Sequence, residues 1–336
     1  MTRFSIVLPV RNGWPYVKEC VESVLAQTYP HLDLIVLDNQ STDNTMTWLK
    51  TVKDKRIQLF CSQASLSIVE SWARARHVEK QEYMTLIGHD DTLDPDFLMT
   101  IKALIDRCPD GALYQTGSRL IDAEGKTLRS CKPVPERESA AQYLQSRFTF
   151  QRDVFGTGIV MRSADFDRLG GIPPFEKLFF ADDALWLSLL GSSFKANDPV
   201  ERFAVRIHPK SESASLPSVW SSILTGLGQF SDFLTTFVQG NPEARAVHAN
   251  LGPDFMLTYH RNACIFALVE ASQAGRRIDP AVIARIEQSL ARTAPSKAGM
   301  LRGSPKVAAV AVLNASPLRF AVPLLWNLYS RFKNRS

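Results

Sequence analysis

Asp90 and Asp91, in Tyr83-Met-Thr-Leu-Ile-Gly-His-Asp-Asp-Thr-Leu-Asp-Pro95, are adjacent carboxylates at the end of an apolar run. Two such charges repel unless a cation, a proton or strong donors compensate them, so the pair suits a divalent-metal or acid/base site. Asp-Asp before Thr and ahead of a Pro-led helix is equally good turn and N-cap chemistry, and the pair alone leaves both readings open. A second pair, Asp182 and Asp183, stands at the start of a helical pattern that runs on through Leu185-Trp-Leu187. Its structural alternative is acidic residues placed well in a first helical turn. His208 stands alone, and packing explains a lone histidine as readily as ligation does.

The elements that must position these residues alternate along the chain. Phe4 to Val10 is a short apolar run with β-branched residues, followed by Val17, Cys20, Val21, Val24 and Leu25 on one helical face. The unit recurs at Leu32 to Leu37, with Ser41-Thr-Asp-Asn-Thr supplying cap residues for a helix through Trp48 and Leu49. Ile57 to Cys61 is a third run, a helical stretch covers about 68 to 78, and Tyr83 to Ile87 is the fourth run, which delivers Asp90 and Asp91. This spacing predicts right-handed crossovers and a mostly parallel, doubly wound α/β sheet. Ligands of such sheets bind outside the carboxyl ends of the strands, where Asn12, Asp38 and Asp90 would converge from three of them.

Several ligand classes are excluded. Pro9-Val-Arg-Asn-Gly-Trp14 lacks the Gly-x-Gly-x-x-Gly fingerprint of a dinucleotide site, and no Gly-x-x-x-x-Gly-Lys-Ser/Thr run provides a P-loop. No motif for nucleic acid binding is present, and no internal repeat is visible. Five cysteines without a C-x-x-C pair read as reduced thiols of a cytoplasmic protein. No signal peptide is expected, since Phe4 to Val10 is short and carries Pro9 and then Arg11.

Four motifs in the first hundred residues carry a family resemblance: Ser5-Ile-Val-Leu-Pro-Val-Arg-Asn12, Glu22-Ser-Val-Leu-Ala-Gln-Thr-Tyr29, Leu34-Ile-Val-Leu-Asp-Asn-Gln-Ser-Thr-Asp43 and His89-Asp-Asp-Thr-Leu-Asp-Pro95. In order and spacing they resemble family 2 glycosyltransferases of the GT-A fold. The likeness extends more weakly through Gly156-Thr-Gly158, Arg168-Leu-Gly-Gly171, Phe180 to Leu187 and Arg206-Ile-His208. It implies a nucleotide-diphosphate-sugar donor, UDP or dTDP, a Mn²⁺ or Mg²⁺ cofactor, and inversion by direct displacement. A leaving diphosphate beside carboxylates needs such a cation as Lewis acid and template. By position, Asp91, Asp90 and His208 are the implied metal contacts, with Asp90 also near the ribose. Asp38 matches the residue that hydrogen-bonds the base; its alternative is a helix cap, shared with Ser41 and Asp43. Pro9, Val10, Arg11 and Asn12 would frame the same base.

Asp182 is the implied catalytic base, with Asp183 as a substitute. Departures from the family pattern are Gly88, where many relatives have Asp, and Ala181 and Ala184, where relatives have Glu and Asp. These motivate an alternative, a catalytically inactive scaffold subunit of a glycan-assembly complex. The Gln-x-x-Arg-Trp motif of processive relatives is absent, which favours transfer of a single sugar to a glycan or lipid-linked acceptor in surface polysaccharide synthesis. Gly156 to Gly158 reads as a close backbone approach near that acceptor, and Trp186 as core.

The likeness ends near residue 215, which divides the chain into a GT-A domain (1–215) and a helical C-terminal region (216–336). Helical periodicity governs that region, through Trp220, Ile223, Leu224 and Leu227, then Phe255, Leu257, Cys264 and Leu268. At about 305–336 the apolar stretches fall short of the roughly 20 residues a membrane span requires, and Pro317, Arg319 and Pro323 interrupt them. Trp326, Tyr329, Arg331, Lys333 and Arg335 suit a segment lying on an anionic membrane surface, peripheral to the inner face of the cell membrane. The alternative is packing on the protein's own core or in a homo-oligomer. The net charge of +5 accords with membrane attraction.

Overall fold

β1 (Phe4–Val10) is buried along its whole length, as expected of a strand covered on both faces. The computed structural model describes residues 1–191, 193–208 and 219–326; the domain boundary at 215–216 and the segment from Tyr329 to Arg335 lie outside these residues. In chain order the elements are β1, α1 (Tyr16–Leu25), β2 (Leu32–Asp38), α2 (Thr45–Leu49), β3 (Ile57–Cys61), α3 (Ile68–Ala73), β4 (Tyr83–Leu86), β5 (Thr92–Leu93), α4 (Phe97–Arg107), β6 (Leu113–Ile121), β7 (Thr127–Ser130), β8 (Arg137–Glu138), α5 (Ala140–Phe148), β9 (Val160–Arg162), α6 (Ser163–Arg168), α7 (Ala181–Leu190), β10 (Lys195–Arg206), α8 (Trp220–Phe237), α9 (Pro242–Gln273), α10 (Pro280–Thr293) and α11 (Pro305–Ala315).

The strands form one sheet in the order β3-β2-β1-β4-β9-β6-β10-β5, with β7 on β6 and β8 on β10. Its long ladders, β1–β2, β2–β3, β1–β4 and β10–β6, are parallel. Short antiparallel ladders join the two parallel blocks, because β9 enters between β4 and β6 in the opposite direction. Helix α3 stops at Ala73 and continues as a tighter 3₁₀ turn through Arg76, ending before the predicted residue 78.

Alternation along β1 divides the core. Phe4, Ile6 and Leu8 face a cluster with Val17, Val21, Phe97 and Ile101 of α1 and α4. Val7 faces the other side, in a cluster that runs through Trp186 of α7 to Leu227, Phe255 and Ile286 of α8, α9 and α10. The C-terminal helices therefore share an apolar core with the sheet. Trp186 is 1% exposed and belongs to this core, as read from the sequence. The segment Pro317–Trp326 turns by 109° from α11, and no single helix among the described residues is long and apolar enough to cross a membrane. One face of this bent pair packs inward through Val307, Val322 and Asn314, whose amide donates to Ser272 Oγ at 2.8 Å. Val312, Leu318, Phe320, Leu324 and Leu325 on the other face are exposed.

Candidate active site

The carboxyl ends of β1 and β2 are laced together by polar groups. Asn12 has a left-handed backbone (φ 51°), which presents its N–H to Ser41 Oγ at 2.9 Å and its side-chain carbonyl to the Thr42 N–H at 2.8 Å. Asp43 accepts from the N–H groups of Thr45, at the start of α2, and of Trp14. Among the described residues Asp38, 3% exposed, accepts only long hydrogen bonds of 3.3 Å from the Ser41 N–H. It ends β2 without capping α2, so its lone pairs remain available to a further donor. Arg11 is exposed beside Asn12, while Pro9 and Val10 are buried in β1.

Beyond β4, neither Asp90 nor Asp91 caps a helix, since α4 begins after Asp96 and has no side-chain cap. Asp91 is 5% exposed; it accepts from the Arg206 N–H at 3.1 Å through Oδ1 and from the Thr157 hydroxyl at 3.1 Å through Oδ2. Burial, and after it the charge of Asp90, push its carboxyl up to about 8. Asp90 Oδ2 lies 3.0 Å from His208 Nε2. The Arg206 side chain, almost fully buried, donates to the Asp90 carbonyl at 2.9 Å and pairs with Glu19. Tyr16 lies under both, 4.9 Å from the Arg206 guanidinium and 4.6 Å from the His208 ring. Gly88 leaves room for the pair: a Cβ there would lie 2.8 Å from Asp91 Oδ2 and 2.9 Å from Asp90 Oδ1.

Among the described residues no three of His, Cys, Asp and Glu converge as a metal-ligating cluster. The donor set nonetheless fits a hard divalent cation. Mg²⁺-type ions are held by one or two protein carboxylates, with phosphates and water completing the shell. Burial, and after it the charge of the half-buried Asp90, raise the Asp91 carboxyl, and such a cation would relieve both.

The segment Gly156-Thr-Gly158 joins this cluster to the second. Thr157 bonds Asp91, and a Cβ on Gly156 would lie 3.6 Å from the Asp182 Cβ. Gly158 has φ +74°, and a Cβ there would collide with the Phe203 ring at 2.5 Å. Asp182 lies in the first turn of α7, which follows three left-handed residues, Lys177 (φ 49°), Leu178 (φ 62°) and Phe180 (φ 64°). Each costs roughly 1–2 kcal/mol, which the surrounding packing must offset. Phe180 is held by stacking on Phe230, with ring centroids 5.5 Å apart. Burial, and next the Asp183 charge, raise the Asp182 carboxyl to about 7. Asp183 is fully buried and committed: it accepts from Tyr143 Oη at 2.7 Å and from Arg147 Nε at 2.9 Å.

Asp182 opens on a cavity of about 420 Å³ between α7 and the C-terminal helices, walled by Phe150, Phe180, Trp220, Tyr259 and Phe266. Sequence reading passed over Arg206, Thr157 and this aromatic wall. Arg206 and Thr157 fall in motifs noted for their neighbours, and for Arg206, the last residue of β10, a polar residue at a strand's carboxyl end was the available signal. Nothing in the periodicity separates Trp220 or Tyr259 from ordinary core positions.

A model of glycosyl transferase family 2 matches residues 5–170. Residues 5–170 belong to that family. Asp182, Asp183 and His208 lie beyond the matched span. A glycosyltransferase from Streptococcus pneumoniae, GlyG, is 29% identical over 99 residues, covering 29% of this chain and 33% of its own. An uncharacterized glycosyltransferase of Rickettsia typhi is 26% identical over 207 residues, 61% of this chain and 64% of its own. One from Bacillus subtilis provisionally named for teichuronic acid biosynthesis, TuaG, is 27% identical over 195 residues, 57% of this chain and 73% of its own. The chain thus spans less than two thirds of the length of the first two of these relatives. Among solved structures, Staphylococcus aureus TarS 1–349, also solved with UDP-GlcNAc, superposes with a TM-score of 0.56 at 15% identity over 97% of this chain and 92% of its own. The Pyrobaculum calidifontis mannosyltransferase PcManGT, in complex with GDP-Man and Mn²⁺, gives 0.53 at 15% identity over 98% and 87%. These likenesses establish the GT-A fold for the chain.

Proposed function

We propose that the protein is an inverting, non-processive glycosyltransferase that moves one sugar from a nucleotide-diphosphate-sugar to a glycan acceptor in surface polysaccharide synthesis. The observation that carries this reading is the Gly156–Gly158 segment, which bonds Asp91 through Thr157 on one side and runs beside Asp182 at Gly156 on the other. A donor held at the first carboxylate and an acceptor held at the second would meet across it. The family supports the reading, as do relatives named as glycosyltransferases and fold neighbours solved with UDP-GlcNAc or with GDP-Man and Mn²⁺.

In this reading Pro9, Val10, Arg11 and Asn12 frame the nucleoside, and Asp38 accepts from a uracil or thymine ring N–H. Asp91 and Asp90, with His208 beside them, would hold a Mn²⁺ or Mg²⁺, which would supply Lewis-acid neutralisation of the leaving diphosphate. Arg206 fixes the backbone of the Asp pair. Asp182 takes the proton from the acceptor hydroxyl, whose oxygen bonds to the anomeric carbon as the bond to the diphosphate breaks on the opposite face. Asp183, locked by Arg147 and Tyr143, orients the helix that carries the base and stays out of the proton transfer. We place the protein at an anionic membrane face through its C-terminal segment.

Calorimetry of UDP, GDP, dTDP and CMP, with and without Mn²⁺, on the intact protein and on Asp91→Ala tests the donor half. UDP or dTDP binding that needs the metal and is lost in Asp91→Ala is the expected result. Absence of binding under every condition overturns the reading in favour of an inactive scaffold.

A further inference from the structure

The cavity beside Asp182 is built as a ligand site. Its walls come from three parts of the chain: Phe150 and Val154 after α5, Phe179 and Phe180 before α7, and Trp220, Tyr259, Asn262 and Phe266 on α8 and α9. The aromatic walls are fixed from behind. Trp220 donates its indole N–H to Glu270 at 2.7 Å, Tyr259 Oη accepts from Arg147 at 3.1 Å, and Phe150 stacks on Phe255 at 5.6 Å. Phe150 and Phe180 both hold left-handed backbones (φ 56° and 64°). Strain of this kind persists where surrounding structure over-determines it, and it clusters at ligand sites. About 420 Å³ lies at the small end of the roughly 300–1,000 Å³ of small-molecule sites, room for one or two sugar rings.

Charge narrows the ligand class. Arg147 and Asp183 form a buried pair at 2.9 Å and cancel, so among the described lining residues Asp182 is the one unmatched charge. An anionic ligand would be repelled once Asp182 ionises, whereas aromatic faces with a carboxylate and an amide at the rim suit the C–H faces and hydroxyls of a neutral sugar. We infer that this cavity is the acceptor subsite, that it takes a neutral glycosyl unit of one or two rings, and that the C-terminal helices select the acceptor through Trp220, Tyr259, Asn262 and Phe266. The inference rests on the transferase reading, with Asp182 as base.

Protein contacts brace the walls of the site, and the test is made without the donor. Saturation-transfer NMR on the full chain with methyl β-glucoside, cellobiose and glucuronate, without nucleotide, reads it directly. Ring-proton saturation for the two neutral sugars, at least threefold weaker for glucuronate, is expected. Asn262→Trp on α9 and Val154→Trp on the opposite wall should each cut the neutral-sugar signal at least fivefold while leaving the thermal midpoint within a few degrees. Absence of neutral-sugar saturation, glucuronate binding as well as cellobiose, or undiminished signal in both variants overturns the inference. Nucleotide calorimetry on the same samples keeps a failure here distinct from a failure of the donor assignment.

Discussion

Asp182 sits where a general base would gain most and the fold would lose most. Its carboxyl is raised from the ordinary 3.8 to about 7, first by burial and then by the charge of Asp183. A base of this strength is half ionised near neutrality, so turnover should fall about tenfold per pH unit below about 7. Asp182→Asn keeps the shape and removes the base, and transfer should drop roughly 10²–10⁴-fold with nucleotide binding unchanged; retained transfer would move the role elsewhere. Stability reports the same titration from the opposite side. The folded state holds this proton more tightly than the unfolded chain, so its contribution is complete below about 4 and is lost as pH rises through about 7. Asn mimics the protonated form, so Asp182→Asn should melt higher than the parent at pH 8, and the gap should shrink toward pH 5. An equal gap at both values would show an unshifted carboxyl. The carboxylate pairs Asp90–Asp91 and Asp182–Asp183 were visible in the sequence, but the pairs alone left turn and cap chemistry equally open, and the family resemblance is what marked Asp90, Asp91 and Asp182 as candidates. Arg206 was hidden because its side chain works on backbone carbonyls and on Glu19, contacts that only the folded register of β10 creates.

The elements around Asp182 are held by a second set of buried charges. Glu138 on β8 accepts from Arg152, beyond α5, at 2.7 Å and pairs with Lys195 at the start of β10 at 2.8 Å. Burial raises the Glu138 carboxyl, but the Lys195 and Arg152 charges outweigh it and hold the group below its usual range. The Arg152 guanidinium lies 4.0 Å over the Tyr143 ring, and Tyr143 in turn bonds Asp183. Glu138→Gln would leave two buried cations facing a neutral amide, an expected loss of roughly 3–5 kcal/mol in urea unfolding. A change under about 1 kcal/mol would show that water already compensates the triad. Apolar periodicity exposed the elements of the first ninety residues in the sequence, since β1, β2 and β4 are buried on both faces and α1 on one stripe, but it did not mark β6, β8, α5 or β10. It did not reveal β9, three residues long and antiparallel, because so short a run gains its strand state only from β4 and β6 on either side.

At the scale of the molecule, the C-terminal helices join the sheet's core, one wall of the cavity and an exposed apolar strip. Phe266, which lines the cavity, packs edge-on against Trp326 at 5.2 Å, and the strip formed by Leu318, Phe320, Leu324 and Leu325 belongs to the same segment. After Glu287 the sequence has no acidic residue, and Lys or Arg stands at 292, 297, 302, 306, 319, 331, 333 and 335. Acidic groups elsewhere neutralise three of these, through Arg292–Asp232, Lys297–Asp254 and Arg302–Glu287. Apolar side chains that face solvent beside an excess of basic charge match an anionic bilayer surface, where each Lys or Arg contributes about 1 kcal/mol. The sequence left open whether this segment packs on the protein or on lipid; the fold divides it, with Val322 and Asn314 inward and the strip outward. Leu324 and Leu325 are 62% and 52% exposed, so Leu324→Glu with Leu325→Glu removes apolar surface and adds negative charge without opening the core. The parent should float with phosphatidylglycerol vesicles, bind phosphatidylcholine vesicles weakly and release at high salt. The double variant should stay in the soluble fraction at low salt with its melting temperature intact. Flotation equal to the parent's would mean that the strip faces a second protein surface, and sedimentation equilibrium would then show a parent dimer that the variant breaks.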